Sequence, residues 1–396
     1  MEKIEMEYEA AREAQILPGY ALLAGTGDKI LYSTANGVQS LRSDHAQPFQ
    51  LDTICACASM TKLVTAVAVL QCFDAGLLDL DVSVSEQLPG IGKYGVMTGW
   101  DDELDQAIMT PYTTQITARS LLTHTSGHEY DWFNPLLGKW RQGRGELPWQ
   151  GATVEEKSQL PLVFEPGTRF AYGSGTDWAG RLIEKITGKS LDVLVAEKIC
   201  APLGIVDATF YPKEKLHMEG RIADMSTISE EGPAQHLEFD ILGGCTECLG
   251  GGGLFASAEA YFAILQAILR REPSLLSESS WTELFRPQLD SQCKRALNEY
   301  INCTPQHTQF LGMSMPASVE RNWALAGMVC EQDLEGQMRE GTIFWGGVPS
   351  MAWFIDTKAG ICGVAACQVL PPMEPRIMAL HAEFQSGVFR KFGDPK

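Results

Sequence analysis

From Leu63 to Leu70 every position but Thr65 is apolar. An apolar run with no polar face reads as a helix buried all round rather than one lying on a surface. It is entered through Cys57-Ala58-Ser59-Met60-Thr61-Lys62 and predicted to run to about Phe73, with Gly76 as its stop. The rest of the pattern is more ordinary. Residues 2–15 read as a surface helix, and 19–24 and 29–36 as β-type runs around Gly25-Thr26-Gly27-Asp28, a hairpin signal. Residues 77–115 read as loop. A short helix is expected at 116–122, an amphipathic one at 176–187 closed by Gly188, and another at 190–200. A glycine-rich turn at 250–253 leads to a helix near 257–271, and a polar, irregular stretch follows to about 320. Three β-type runs, 342–345, 351–355 and 361–368, precede Pro371 and Pro372, and a last helix covers about 376–391.

Strands at both ends and helices between them predict an α/β (α+β) arrangement in which the two termini share one subdomain and a mostly helical subdomain is inserted. At 396 residues the chain suits about two packed subdomains. Its 45% hydrophobic and 20% charged residues are ordinary globular usage. A net charge of −19 with no Lys/Arg run argues against nucleic acid as a partner. No stretch of about 18 apolar residues exists, so no membrane span is expected. The start, MEKIEMEYEAAREAQ, lacks the apolar core of a secretory signal, and eleven irregularly spaced cysteines then read as reduced thiols of a cytoplasmic protein.

Lys62 lies at the mouth of the oily helix, one turn from Ser59, so the two share a face. A serine hydroxyl is a poor nucleophile at neutral pH, and a lysine deprotonated by burial can serve as its base. The positive end of the helix favours a developing oxyanion. The alternative is a capping serine beside a lysine that reaches to solvent. The pattern recurs at Ser291-Gln292-Cys293-Lys294, which is followed by polar residues and reads as a chance match.

Two further stretches could complete a site. Tyr172, in Phe170-Ala171-Tyr172-Gly173-Ser174, can relay a proton to a serine–lysine pair, and Ser174 can bond the lysine. Trp345-Gly346-Gly347-Val348 ends a β-run, and glycines there let the backbone approach a ligand closely; the N–H groups of Val348 and Ser59 could form an oxyanion hole. Tyr300-Ile301-Asn302 and Lys358-Ala359-Gly360 are rival matches, the first in the polar region and the second in a hairpin turn.

Taken in order, Ser59-x-x-Lys62, Tyr172-x-Ser174 and Trp345-x-Gly347 resemble the motifs of the serine β-lactamase and penicillin-binding-protein superfamily. Leu121-Leu122-Thr123-His124-Thr125-Ser126-Gly127 is similar to its class C-like members. The likeness is strongest to fungal polyketide-pathway acyltransferases of the lovastatin transesterase kind. It is carried also by Asp177-Trp178-Ala179-Gly180, by Ile199-Cys200-Ala201-Pro202-Leu203-Gly204-Ile205 and by Asp356-Thr357-Lys358-Ala359-Gly360. The resemblance implies a β-lactamase-like fold, an antiparallel sheet flanked by helices. Residues 1–58 and 205–396 would form the discontinuous α/β subdomain and 59–204 the helical one, with the site between them. It implies that Ser59 is acylated, that Lys62 and Tyr172 act as base and acid, that the Ser59 and Val348 N–H groups bind the oxyanion, and that Tyr130, Ser174, Trp345, Gly346 and Gly347 touch substrate. Trp345 departs from the β-lactamases, which carry lysine there. Losing that cation argues against β-lactam hydrolysis and points toward the carboxylesterase branch.

The activity so implied is acyl transfer from a thioester donor, free or on an acyl carrier protein domain, to a hydroxyl of a small secondary metabolite. An esterase or thioesterase would share the first half-reaction, and a non-catalytic ligand binder is the reading from another class. No cofactor or metal is called for. Cys245-Thr246-Glu247-Cys248 lacks the second pair a zinc site wants, Gly250–253 lacks the Lys-Ser of a phosphate cradle, and no Gly-x-Ser-x-Gly elbow exists. His124 reads as structural, and Trp132, Phe133 and Trp140 are candidates to line the pocket.

Overall fold

The computed structural model describes residues 1–42, 46–229 and 232–393. Seven strands from the two ends of the chain form its main sheet: β1 (Gly19–Gly25), β2 (Ile30–Gly37), β3 (Arg321–Trp323), β4 (Met328–Cys330), β5 (Ile343–Gly347), β6 (Met351–Asp356) and β7 (Ile361–Ala366). Their order is β3-β4-β5-β6-β7-β1-β2, and every neighbouring pair is antiparallel. Strands β1 and β7 are buried at every position, and this is why they read as continuous apolar runs; β2, at the edge, carries the exposed residues. Register sets Ala21 opposite Ala366 and Trp345 opposite Trp353.

Helices cover this sheet. Glu2–Glu13 lies against Pro375–Phe392, where Tyr8 and His381 Nδ1 share a 2.6 Å hydrogen bond and His381 Nε2 lies 2.7 Å from the Ser350 carbonyl. The Ala258–Leu269 helix packs on β7 and β1, and its Tyr261 hydroxyl donates to the Met60 carbonyl (2.8 Å). That bond ties the sheet to the start of the oily helix, which spans Thr61–Asp74 and buries Leu63, Val64, Val67 and Leu70 completely. Each such side chain contributes about 1.5–3 kcal/mol of transfer free energy. The other face of this helix packs against Gly175–Thr187, which Gly188 ends at φ +69°.

Two stretches differ from the sequence pattern. Residues 77–115 contain a surface hairpin, Val96–Asp101 with Gln106–Thr110, whose second strand has no buried residue to mark it. Residues 272–320 hold three helices, Glu278–Phe285, Ser291–Ile301 and Pro305–Leu311. Ser277, Asp290 and Thr304 cap them by accepting the N–H groups of Ser280, Cys293 and His307, and their buried faces are narrow: Trp281 and Leu284, then Cys293, Leu297 and Ile301. The expected 190–200 helix holds as Leu191–Val195 and continues as one wider turn, Ala196–Cys200. All eleven cysteines are free thiols. Among the described residues no helix is long and apolar enough to cross a membrane.

Candidate active site

A short strand, Ile54–Ala56, pairs with Phe255–Ser257 and delivers the chain to the mouth of the oily helix. Two bonds pin the junction: Cys57 N–H donates to the Leu254 carbonyl (2.9 Å), and Leu254 N–H to Thr61 Oγ1 (3.0 Å). Between them Ala58 is held at φ +46°, a left-handed conformation that costs a non-glycine residue of order 1 kcal/mol. The tight turn at Ala58–Met60 leaves Ser59 only partly covered, at the edge of a cavity of about 380 Å³. Strand β5 comes close on the other side: a Cβ on Gly347 would meet the Cys57 carbonyl at 2.5 Å, so glycine is required for this approach. Val348, just beyond, lines the same cavity as Ser59.

Lys62 is 2% exposed. Its Nζ donates to the Gly251 carbonyl (2.7 Å), to Ser59 Oγ (3.3 Å) and to the Tyr130 hydroxyl (3.3 Å), and it lies 4.7 Å from the centre of the Tyr172 ring. Gly250–253 is therefore the lysine's cradle. Gly250 accepts from Thr65 (2.7 Å) and lies against Gly180; Gly251 presents its carbonyl to Lys62 and its N–H to Asp177 Oδ1 (2.9 Å). Asp177 is fully buried, and its Oδ2 accepts the Tyr130 hydroxyl at 3.3 Å. Burial pushes the Asp177 carboxyl up, against the opposing pull of Lys62; burial and the Asp177 charge push the Tyr130 phenol well up. A chain of contacts thus runs Ser59–Lys62–Tyr130–Asp177.

Tyr172 sits beside this chain rather than in it. Its hydroxyl accepts from Trp345 Nε1 (3.1 Å) and makes no hydrogen bond to Lys62. Its carbonyl accepts the Tyr130 N–H (3.3 Å), so the two tyrosines are joined through the backbone. Trp345, Gly346 and Gly347 are buried in β5; the indole orients Tyr172 and does not line the cavity. Ser174 Oγ is buried without a partner and does not reach Lys62. His124 packs on the Tyr172 ring (4.5 Å) and accepts the Gly173 N–H at Nδ1 (3.3 Å); burial, with Lys62 nearby, holds it well below its ordinary pKa, so it is neutral. Trp132 lines the cavity, Phe133 faces a separate one, and Trp140 packs on Tyr94. The rival Tyr300 is bonded to Glu129 (2.6 Å), and the Asp356–Gly360 stretch is the β6–β7 turn, with Lys358 paired to Glu340.

Sequence reasoning missed the structural weight of Asp177 and of Gly251. Only the resemblance of Asp177-Trp178-Ala179-Gly180 points to Asp177 in the sequence; the structure shows it as a charged residue in a helix stretch, Gly175 to Gly180, that is buried throughout.

The arrangement has a hydroxyl at a cavity wall, a buried amine in contact with it, a phenol–carboxylate pair behind the amine, and backbone N–H groups at a close strand. That set can form and discharge an acyl-serine. The chain is 33% identical over 402 residues to the monacolin J acid methylbutanoyltransferase of Aspergillus terreus, covering 98% of this chain and 95% of that one. It is also 33% identical to the lovastatin esterase of Penicillium rubens, with 91% of each covered. The unliganded simvastatin synthase structure from Aspergillus terreus superposes with a TM-score of 0.90 at 31% identity, over 99% of this chain and 98% of that one. The family model described as Beta-lactamase matches residues 7–387, and the chain belongs to that family.

Proposed function

We propose that the chain is a serine acyltransferase that moves an acyl group from a thioester to a hydroxyl of a small secondary metabolite through an acyl-Ser59 intermediate. The observation that carries the reading is the buried Lys62 amine group, 3.3 Å from Ser59 Oγ at the wall of an apolar cavity. As the free amine, Lys62 takes the Ser59 proton while Oγ attacks the thioester carbonyl. The tetrahedral oxyanion is received by the N–H groups of Ser59 and Val348. The C–S bond breaks, and the thiolate leaves with the proton that Lys62 took from Ser59; Tyr130, bonded to Lys62 and to Asp177, backs that amine, and Tyr172, aimed by Trp345, lays its ring against it. The acceptor hydroxyl then attacks the ester, passes its proton to Lys62, and Ser59 leaves reprotonated.

Aromatic and apolar side chains, among them Tyr130, Trp132, Trp149, Phe239 and Phe310, dominate the cavity wall. Such walls suit a bulky apolar substrate and keep water scarce. The names of the relatives support transfer, and the esterase among them supports a second reading, hydrolysis through the same intermediate. Incubation with an acyl thioester of N-acetylcysteamine, followed by mass spectrometry, tests the shared step. An adduct on Ser59, absent in Ser59→Ala, is expected; an unmodified wild-type protein would favour the ligand binder. Products formed with and without a hydroxyl acceptor then divide transfer from hydrolysis.

A further inference from the structure

A second lysine is as deeply buried as Lys62. Lys157, at 1% exposure on the short Val154–Ser158 helix, takes no carboxylate partner among the described residues. Its Nζ donates to two carbonyls, that of Trp149 and that of Gly243 (3.2 Å), and sits 4.2 Å from the centre of the Trp149 ring. Both of those residues line the cavity that Ser59 opens into. An ammonium removed from water is costly unless its protons are taken up, so this lysine is held in place by those two carbonyls and the indole face.

What it holds is itself strained and over-determined. Trp149 has φ +55°, its N–H donates to Asp131 Oδ2 (3.1 Å), and its indole N–H to the Ile241 carbonyl (3.4 Å). Its ring meets Tyr130 and Trp132 edge-on at 5.2 and 4.9 Å. Asp131 is in turn fixed by the buried Arg141 (2.7 Å), whose guanidinium also donates to the Lys157 carbonyl (2.6 Å). Gly243 has φ +53°, and a Cβ there would run into the Trp149 carbonyl and the Lys157 ammonium. Strain of this kind persists only where the surroundings enforce it, and it gathers at functional walls.

We propose that Lys157 is a positioning residue: by joining the 148–150 and 239–243 segments it fixes one corner of the substrate cavity and sets how bulky apolar acyl groups fit against Trp149. The proposal rests on the reading of this cavity as the place where acyl-Ser59 forms. Lys157 does not touch Ser59, Lys62 or the Tyr130 hydroxyl, so its loss leaves the chemistry of a small acyl group in place. The device is also sensitive to pH. Burial brings the Lys157 pKa down to about 8, against the attraction of Asp177 on the Gly175–Thr187 helix, Asp131 on the Trp149 side and Asp240 beside Gly243; the neighbouring Cys245 thiol, itself pushed up to about 11 by burial, stays neutral there. Below pH 8 the corner is held by a cation; above it, by a neutral amine with weaker hydrogen bonds.

The test uses p-nitrophenyl esters from acetate to decanoate on the wild type, Lys157→Met and Lys157→Arg, with circular dichroism to check folding. In Lys157→Met the KM of the longer esters should rise about tenfold relative to acetate, with acetate turnover within about threefold of wild type. In the wild type the ratio of long-ester to acetate KM should climb above pH 8; taking the ratio cancels titrations common to both substrates. Lys157→Arg, permanently charged, should keep that ratio flat to pH 9.5, and this comparison stands even if Lys157→Met does not fold. Superimposable chain-length profiles in a folded Lys157→Met, or the same pH rise in the arginine variant, would overturn the positioning role. If the wild type forms no acyl-Ser59 with any ester, the proposed function fails first, and this inference with it.

Discussion

The chain carries the same four-residue pattern at the start of two helices, and the two copies have opposite fates. At Ser59-Met60-Thr61-Lys62 the lysine is 2% exposed, shares no ion pair among the described residues, and donates hydrogen bonds to a carbonyl, a phenol and the serine itself. At Ser291-Gln292-Cys293-Lys294 the serine is exposed, and the lysine turns away from it to pair with Glu331 and with Glu320 (3.0 Å). Asp290, not Ser291, caps that helix. The spacing alone puts a hydroxyl and an amine on one helical face. What converts the pair into chemistry is the helix behind it: eleven of fourteen residues of Thr61–Asp74 are buried, so the amine cannot escape to solvent. In Ser291–Ile301 only Cys293, Leu297 and Ile301 are buried, and the amine is free to find carboxylates.

Removing the first copy should have the largest effect. Ser59→Ala is expected to lower turnover of an acyl thioester by at least about 10⁴-fold with the fold intact, read by steady-state kinetics and circular dichroism. Lys62→Ala should cost nearly as much, about 10³- to 10⁴-fold, and the double variant little more, because groups that act as a unit are not additive. If Lys62→Ala kept a tenth of the activity, the buried copy would be no more catalytic than the exposed one.

The groups behind Lys62 sharpen the contrast by degrees. Asp177→Asn removes the charge that the Tyr130 hydroxyl and Gly251 N–H face. A hydrogen bond to a charged group is worth about 1.5–3 kcal/mol, so kcat should fall about 10- to 100-fold, with KM little changed. Trp345→Phe deletes one neutral hydrogen bond to Tyr172, about 1 kcal/mol, and should cost about fivefold. The order Asp177 before Trp345 is the informative result. The reverse would move the proton path from Tyr130 to Tyr172.

How much of this was legible follows the same line. The buried helix and strands β1, β5, β6 and β7 could be read because their apolar runs are long, β2 because a hairpin turn precedes it, and the terminal helices because apolar residues recur at helical spacing. The three helices between 278 and 311 were not, since each buries a narrow face and is announced mainly by its cap. Ser59, Lys62 and Tyr172 could be singled out by spacing and context. Their mutual arrangement could not: that Lys62 bonds Tyr130 while Tyr172 bonds Trp345 depends on how Gly251, Asp177 and β5 meet, and those contacts span up to 189 residues of sequence. Lys157 was invisible for the same reason, as nothing in Val-Glu-Glu-Lys-Ser marks a lysine whose partners are two distant carbonyls.

The smallest expected effect belongs to the second copy. Lys294 and its partner Glu331 are partly exposed, and its second partner, Glu320, is well exposed. Exposed ion pairs are worth about 0–1 kcal/mol, so Lys294→Ala should change stability to denaturant by no more than that and leave turnover within about twofold. The variant is worth making because it tests the pattern rather than the protein. It keeps a Ser-x-x-Lys intact at 59–62 and destroys one at 291–294. A loss of activity comparable to Lys62→Ala would mean that the four-residue spacing, and not the burial of the helix that follows it, is what selects the catalytic amine.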